Sequence, residues 1–357
     1  MDKRTKNKVM VKYGKSSEAL FSHKKSFIDE NDDLLKKGIK INKLYSAQPK
    51  RIKCKNCDYR LGEPIFKKLH VLYCFCNNCG HLNGMYQDTD EFIKIVYTKD
   101  KGASYAELYN SKNVDLFIKR TDDIYVPKAE FLKDALIHRN IDPFELSYAD
   151  IGAGSGFFVS ALKKIGFTNL VGYEVSEIMV DVGNTLIGEK LLVKLEIDKT
   201  PELIKSIDAE VVSMIGVLEH LQYPRKILSS IKKNSKVKYL YISVPLFSLS
   251  VILEMVFPNV MHRQLSAAHT HLYTESSLEY MAKEFGLDLI ASWWFGTDMM
   301  DMWRSIYLTL NQKEDTKQMT NIFTDMFSNL IDTLQIDLDK KHLSSEVHMI
   351  FSLNNNQ

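Results

Sequence analysis

The 357-residue chain has no cysteine outside one short window, because all five lie between Cys54 and Cys79. Disulfide staples tie distant segments together, so this crowding argues against an oxidised scaffold and favours a metal site in a reducing compartment. A long apolar run is also missing. The most apolar stretch, residues 242–257, is interrupted by Pro245 and Glu254 and falls short of the roughly 20 apolar residues a spanning helix needs. The first twenty residues have a charged start but no apolar core, so no secretory signal is read there and a soluble, cytoplasmic protein is expected. Nor does charge of one sign prevail. With 47 Lys+Arg against 45 Asp+Glu the net charge is +2, too balanced for a protein built mainly to coat nucleic acid or an anionic membrane. No internal repeat is visible, and no low-complexity tract beyond Asn354, Asn355 and Asn356.

What is present is a 45% hydrophobic, 26% charged chain, enough for a full core and more than one domain. Residues 1–45 form a basic, partly flexible leader with short apolar pieces that could supply a docked helix. Residues 46–89 carry the cysteines among short β-prone pieces. Residues 90–146 read as a helical connecting subdomain with Phe131, Leu132, Ala135, Leu136 and Ile137 as its apolar face. From residue 147 onward short apolar runs alternate with amphipathic helical stretches, the pattern of an α/β, doubly wound, mainly parallel sheet. Seven strands are expected, at 148–151, 169–174, 191–197, 211–215, 239–244, 288–294 and 347–353. A helical insertion over 313–341 precedes the last.

Two patterns carry chemistry. Cys54-x-x-Cys57 and Cys76-x-x-Cys79 are separated by eighteen residues, and two such turns can close a thiolate tetrahedron about zinc. Four thiolates leave no open position, so a structural role is expected, with Cys74 as a buried or spare thiol. The second pattern is Asp150-Ile151-Gly152-Ala153-Gly154-Ser155-Gly156, which follows a strand and opens a helix. Its glycines allow a tight turn and close approach of a ligand to the backbone. Eighteen residues after Gly156, Glu174 ends the next strand, where a carboxylate can accept from both hydroxyls of a ribose. A dinucleotide and S-adenosylmethionine (SAM) compete for this geometry. The GxGxG spacing and the Asp at the strand end, able to hold a cationic amino-acid end, favour SAM.

The combination of D-I-G-A-G-S-G, Y-E-V, V-L-E-H-L (residues 217–221) and I-S-V-P (242–245) resembles the class I SAM-dependent methyltransferases with a V-L-E-H signature, over about residues 147–295. The resemblance implies a Rossmann-like methyltransferase fold. It places Asp150, Gly152, Ala153, Gly154 and Gly156 against the methionine and ribose ends, Glu174 on the ribose hydroxyls, Val175 against the adenine, and Ile215 and Gly216 on the sulfonium side. Asp198 is a further candidate for the adenine amino group. The cysteine module, the methylase core and a histidine loop after the fifth strand are together similar to the deoxysugar C-methyltransferases. In that family a Glu-His pair precedes the equivalent loop. Here His271 matches the His, while Thr270 and Ala268 stand where the family has Glu and Tyr, which makes O-methylation as good an expectation as C-methylation.

The candidate bases are His271, a group whose ordinary pKa of about 6.5 suits proton removal near neutrality, and His220. His269, Tyr273, Trp294, Asp298 and Arg304 are candidates for holding a sugar ring and its hydroxyls or phosphate. The expected function is methyl transfer to a sugar or nucleotide-sugar of a glycan or surface-polysaccharide pathway. Two other readings remain at this stage: an RNA methyltransferase whose zinc module and basic leader grip phosphate, and a SAM-binding, non-catalytic assembly protein. The apolar segment 246–260 could cover the acceptor, pair subunits of a homo-oligomer or touch a membrane-bound substrate.

Overall fold

The structure, a computed structural model, describes residues 8–23, 25–98, 113–265 and 269–353. Part of the leader, part of the helical connection, Ala268 and the asparagine tail therefore lie outside the described residues.

The strands are β1 (Met10–Tyr13), β2 (Phe66–Lys68), β3 (Val71–Phe75), β4 (Leu82–Gly84), β5 (Tyr148–Ile151), β6 (Leu170–Glu174), β7 (Leu192–Lys194), β8 (Val211–Ile215), β9 (Tyr239–Pro245), β10 (His271–Leu272), β11 (Leu287–Phe295) and β12 (Glu346–Leu353). Eight of them form one sheet in the order β1-β11-β12-β9-β8-β5-β6-β7. All neighbours pair in parallel except β12, which runs antiparallel to both β11 and β9. This is the Rossmann-like methyltransferase architecture, with the order reversing between β5 and β8, the position at which open α/β sheets bind ligands.

Seven of the eight are the expected strands, the third shortened to three residues because Ile197 already turns into the 3-10 turn Ile197–Lys199. The eighth corrects the reading of the leader. β1 pairs in parallel with β11, Met10 opposite Ala291 and Tyr13 opposite Trp294. The leader also forms the helix Asn31–Ser46, whose Asn31 carboxamide accepts from Met261 N at 2.7 Å. Backbone pairing with a core strand, not charge, decides that this segment is docked.

Strand alternation distributes the core over both faces of the sheet. Ile242, Val244, Trp294 and Val347 pack on one face with Leu228, Ile231, Leu278 and Met281. Tyr241, Trp293 and Ile350 pack on the other with Phe131, Leu132, Ala135, Leu136 and Phe158. The helix Val126–His138 supplies the expected apolar face with one exception: Ile137 is exposed, a rotation of about 100° past Leu136 taking it off the buried stripe.

The second sheet, β10-β4-β3-β2, belongs to the cysteine region and is antiparallel throughout. β10 comes from the histidine loop, His271 opposite Asn83 and Leu272 opposite Leu82, so the two sheets are joined through a strand borrowed from the larger, glycine-loop part of the chain. Arg225 fastens the same junction, donating to the Asn56 carbonyl at 2.7 Å and pairing with Asp58 and Glu284.

Candidate active site

The glycine loop is shaped by backbone needs. Gly152, Gly154 and Gly156 all have positive φ (71°, 56° and 79°), which L side chains rarely adopt. A methyl group on Gly152 would meet the Val217 side chain at 2.7 Å, whereas one on Gly154 would meet nothing within 4 Å. The loop is thus tight against the β8 turn at its start and open in its middle. Gly152 N and Ala153 N both donate to the Tyr173 carbonyl, at 2.8 and 3.0 Å, and Gly156 begins the helix Phe157–Lys164.

Glu174 lies 5% exposed at the end of β6, with Gly154 N donating to one carboxylate oxygen (2.8 Å) and Ser176 N to the other (2.9 Å). Each oxygen keeps a further acceptor position. Asp150 ends β5 nearby and accepts from Ser213 Oγ at 2.6 Å, while burial pushes its pKa up to about 7. Val175 is half-buried beside Glu174, and Ile215 and Gly216 end β8 with Gly216 N donating to Ser243 O at 3.1 Å. Ala153 is buried in the small cluster beneath the loop. The residues expected to hold the cofactor therefore converge on the carboxyl ends of β5, β6 and β8. Asp198 is exposed and lines an open groove with Lys205, Arg225 and Lys226.

The histidines fall differently from expectation. His271 is fully buried, its Nδ1 2.8 Å from His81 Nε2, its ring near the edge of Tyr273. Burial, followed by the positive charges of Lys55 and its neighbours, holds its pKa well below the ordinary value. The expected base with an ordinary imidazole pKa is thus a neutral core histidine of the cysteine-region sheet. Tyr273 is likewise fully buried.

His220 and His269 do meet, with ring centroids 4.9 Å apart and both rings partly exposed. Glu219 completes the group, and donor atoms of the three residues lie within 4.8 Å of one another. Glu219 is 3% exposed, and burial pushes its pKa up to about 8. The sequence named both histidines separately and gave Glu219 no chemical part. Its signal was only the adjacency to His220; the approach of His269 depends on the loop after β9.

That loop is held from below. Glu254, on the helix Leu249–Val256, accepts from the amides of Arg263, Gln264 and Leu265 and pairs with Lys68 at 2.9 Å, both side chains buried. His269 Nδ1 then lies 2.9 Å from the Gln264 carbonyl.

The proposed sugar platform is not brought together. Trp294 is 2% exposed, its face stacked on His342 at 3.9 Å, and its indole N–H donates to Ser292 Oγ. Asp298 is fully buried and accepts from Ser248 Oγ, Ser250 N and Oγ, and Ser345 N. Arg304 is 2% exposed and donates to Met261 O and Asp301. The start of the helix Asp298–Asn311 packs inward, so each of these groups is turned to partners inside the protein.

In the cysteine region Cys54 Sγ and Cys79 Sγ are 3.7 Å apart, and Cys57 Sγ and Cys76 Sγ 3.5 Å. All four sulfurs lie within 4.8 Å of one another. Tetrahedral zinc with Zn–S of about 2.3 Å sets sulfurs ~3.8 Å apart, so the donor set fits. Asn56 N and Asn83 Nδ2 each approach Cys54 Sγ at 3.4 Å, the outer contacts that steady thiolates. Cys74 points away, its sulfur 3.2 Å from the Phe75 carbonyl.

Residues 127–292 match the family model of a methyltransferase domain. The matched stretch takes in the glycine loop, Glu174 and the group of Glu219, His220 and His269. Among solved structures, the chain is similar to the magnesium protoporphyrin IX methyltransferase of Synechocystis PCC 6803 with bound S-adenosylhomocysteine (10% identity, 74% of this chain and 100% of that one, TM-score 0.46). It is also similar to a putative sarcosine dimethylglycine methyltransferase of Galdieria sulphuraria (12% identity, 72% and 99%, TM-score 0.44). A SAM-dependent methyltransferase from Archaeoglobus fulgidus has 19% identity, with 63% and 94% covered and a TM-score of 0.37. No curated protein matches the chain.

Proposed function

We propose that the protein transfers a methyl group from SAM to a hydroxyl of a small-molecule acceptor, a sugar or nucleotide-sugar, and that its four-cysteine cluster holds a structural zinc ion. The carrying observation is the open space over Gly154 beside the amide-anchored Glu174 carboxylate. Bound there, SAM supplies a sulfonium-activated methyl group. In this reading Glu174 accepts from the ribose hydroxyls, Asp150 holds the cationic amino-acid end, and the Gly152–Gly156 loop lets the ligand lie against backbone.

The chain must also align the acceptor and take its proton. His220 and His269 are the imidazoles at the exposed end of β8 and are assigned to that task. His271 stands behind them as a positioning group within the cysteine-region sheet. Zinc would be held by Cys54, Cys57, Cys76 and Cys79 and would fix β3, β4 and, through them, β10.

The RNA reading loses support from the cations themselves. Among the cations of the cysteine region, Arg51 and Lys55 pair with Asp88, and Lys68 with Glu254, all inside the protein. Lys53, Arg60 and Lys67 remain exposed.

The deciding experiment is calorimetric titration of the zinc-replete protein with SAM and S-adenosylhomocysteine, followed by mass screening of sugar and nucleotide-sugar acceptors. Both ligands bind, and Glu174→Ala weakens SAM by about 10²-fold, roughly two lost charge-assisted hydrogen bonds, without unfolding. Absence of binding to folded protein overturns the cofactor assignment. Methylation of RNA with a steep salt dependence, and of no sugar, overturns the acceptor class.

A further inference from the structure

We propose that Glu219, His220 and His269 form a second metal site, for a divalent cation of the Mn2+, Fe2+ or Zn2+ class, that takes the acceptor hydroxyl as an additional ligand. The acceptor's part in this rests on the methyltransferase reading; the binding of the ion does not.

The geometry is that of a two-histidine, one-carboxylate set. His220 Nε2 is 3.8 Å from Glu219 Oε1, and donor atoms of all three residues lie within 4.8 Å of one another. Small side-chain adjustments bring such a span to the ~2.0–2.2 Å metal–donor distances of imidazole and carboxylate ligands. Glu219 is 3% exposed, yet its Oε2 has no hydrogen-bond partner among the described residues. An interior carboxylate oxygen left in that condition is costly, and a cation beside it removes the cost.

The surroundings of His269 suit a metal ligand. Its Nδ1 faces the Gln264 carbonyl at 2.9 Å, which fixes Nδ1 as the protonated nitrogen and leaves the Nε2 lone pair to bind. Gln264 is held by its amide to Glu254, and Glu254 by Lys68. A buried ion pair thus reaches His269 through one loop.

The set differs in kind from the cysteine cluster. Four thiolates saturate an ion; two imidazoles and one carboxylate leave positions open, and both imidazoles are partly exposed. In this arrangement His220 and His269 act on the acceptor through the ion and not as free bases: an oxygen bound at an open position loses its proton to water more readily, because the cation stabilises the anion left behind. The site lies at the turn after β8, where a Cβ placed on Gly216 would stand 3.6 Å from Glu219 Oε1. It is therefore beside the residues assigned to the sulfonium side.

The test uses full-length, zinc-replete protein and Mn2+ as the probe, since Mn2+ prefers oxygen and imidazole to thiolate. Electron paramagnetic resonance of free Mn2+ is expected to show one bound ion per chain. His269→Ala weakens it by at least about 10- to 100-fold while zinc content and S-adenosylhomocysteine affinity, read by calorimetry, stay as in the parent. Glu219→Gln does the same, and His269→Ala, on a partly exposed loop residue, keeps the test intact if the buried variant misfolds. No Mn2+ binding by protein that binds S-adenosylhomocysteine overturns the proposal, as does binding unchanged in both variants. Mn2+ binding that obeys the variants in a protein blind to S-adenosylhomocysteine upholds the site and removes the methyltransferase reading instead.

Discussion

At the ends of β5 and β6 the backbone does the positioning, whereas beyond β8 and β9 the side chains do. The first region consists of three positive-φ glycines, two amides on the Tyr173 carbonyl and two more on Glu174, all within about 25 residues of sequence. The second consists of His220, His269 and His271, set by Lys68, His81 and Glu254 from elements far apart in the chain. A ligand site built from local turns tolerates change elsewhere. One built from long-range pairs depends on a second folded unit, here the cysteine-region sheet.

The strongest way to break that contrast is to remove the zinc proposed for the cysteine cluster. Cys57→Ala, or chelation of zinc, is expected to melt β2, β3, β4 and β10 together, because a small metal-centred unit folds only with its ion. Turnover falls by at least about 10²-fold as the histidine loop loses its seat, while SAM binding survives. Hydrogen exchange reads the two regions separately; loss of protection in β5 and β6 as well would show that they are one cooperative unit.

A milder cut is Lys68→Met, which leaves Glu254 buried without its cation. It should destabilise by about 3–5 kcal/mol in urea unfolding and leave SAM affinity unchanged. A loss below about 1 kcal/mol would mean that the loop amides alone hold Glu254 and that the long-range link carries little.

The smallest effect sharpens the first region. The carboxyl of Asp150, ordinarily ionised above pH 4, has its pKa pushed up to about 7 by burial. The free protein then holds a proton there at pH 6 that the cationic end of SAM displaces, so affinity rises by about tenfold between pH 6 and 8. Asp150→Asn flattens that profile. For the fold itself the sign is opposite: the protonated carboxyl favours the folded state at low pH, and that contribution is lost as pH rises from about 4 through 7.

This division also decided what could be read from sequence. The glycine loop, Glu174 and the strand ends were legible because short-range spacing encodes them, and the cysteine pairs because two turns suffice to place four sulfurs. The burial of His271 was not, since it depends on β4, and no spacing within residues 268–273 announces a partner 190 residues earlier. Trp294 looked free for stacking, but alternation puts Trp293 and Trp294 on opposite faces, and each is covered, one by Lys12 and Gly14, the other by His342. The leader misled for a related reason: its composition is polar, and only the edge of β11 gives β1 a place.

The pairing of β10 with β4 also bears on how the chain is made. During synthesis β2, β3 and β4 leave the ribosome early, but their fourth strand follows only after the 190 residues that separate His81 from His271 have emerged. β1 waits longer still for β11. Both sheets are therefore completed late, and the nascent protein carries two open strand edges through most of its translation, a stretch in which a chaperone or a neighbouring polysome has the most to offer or to spoil.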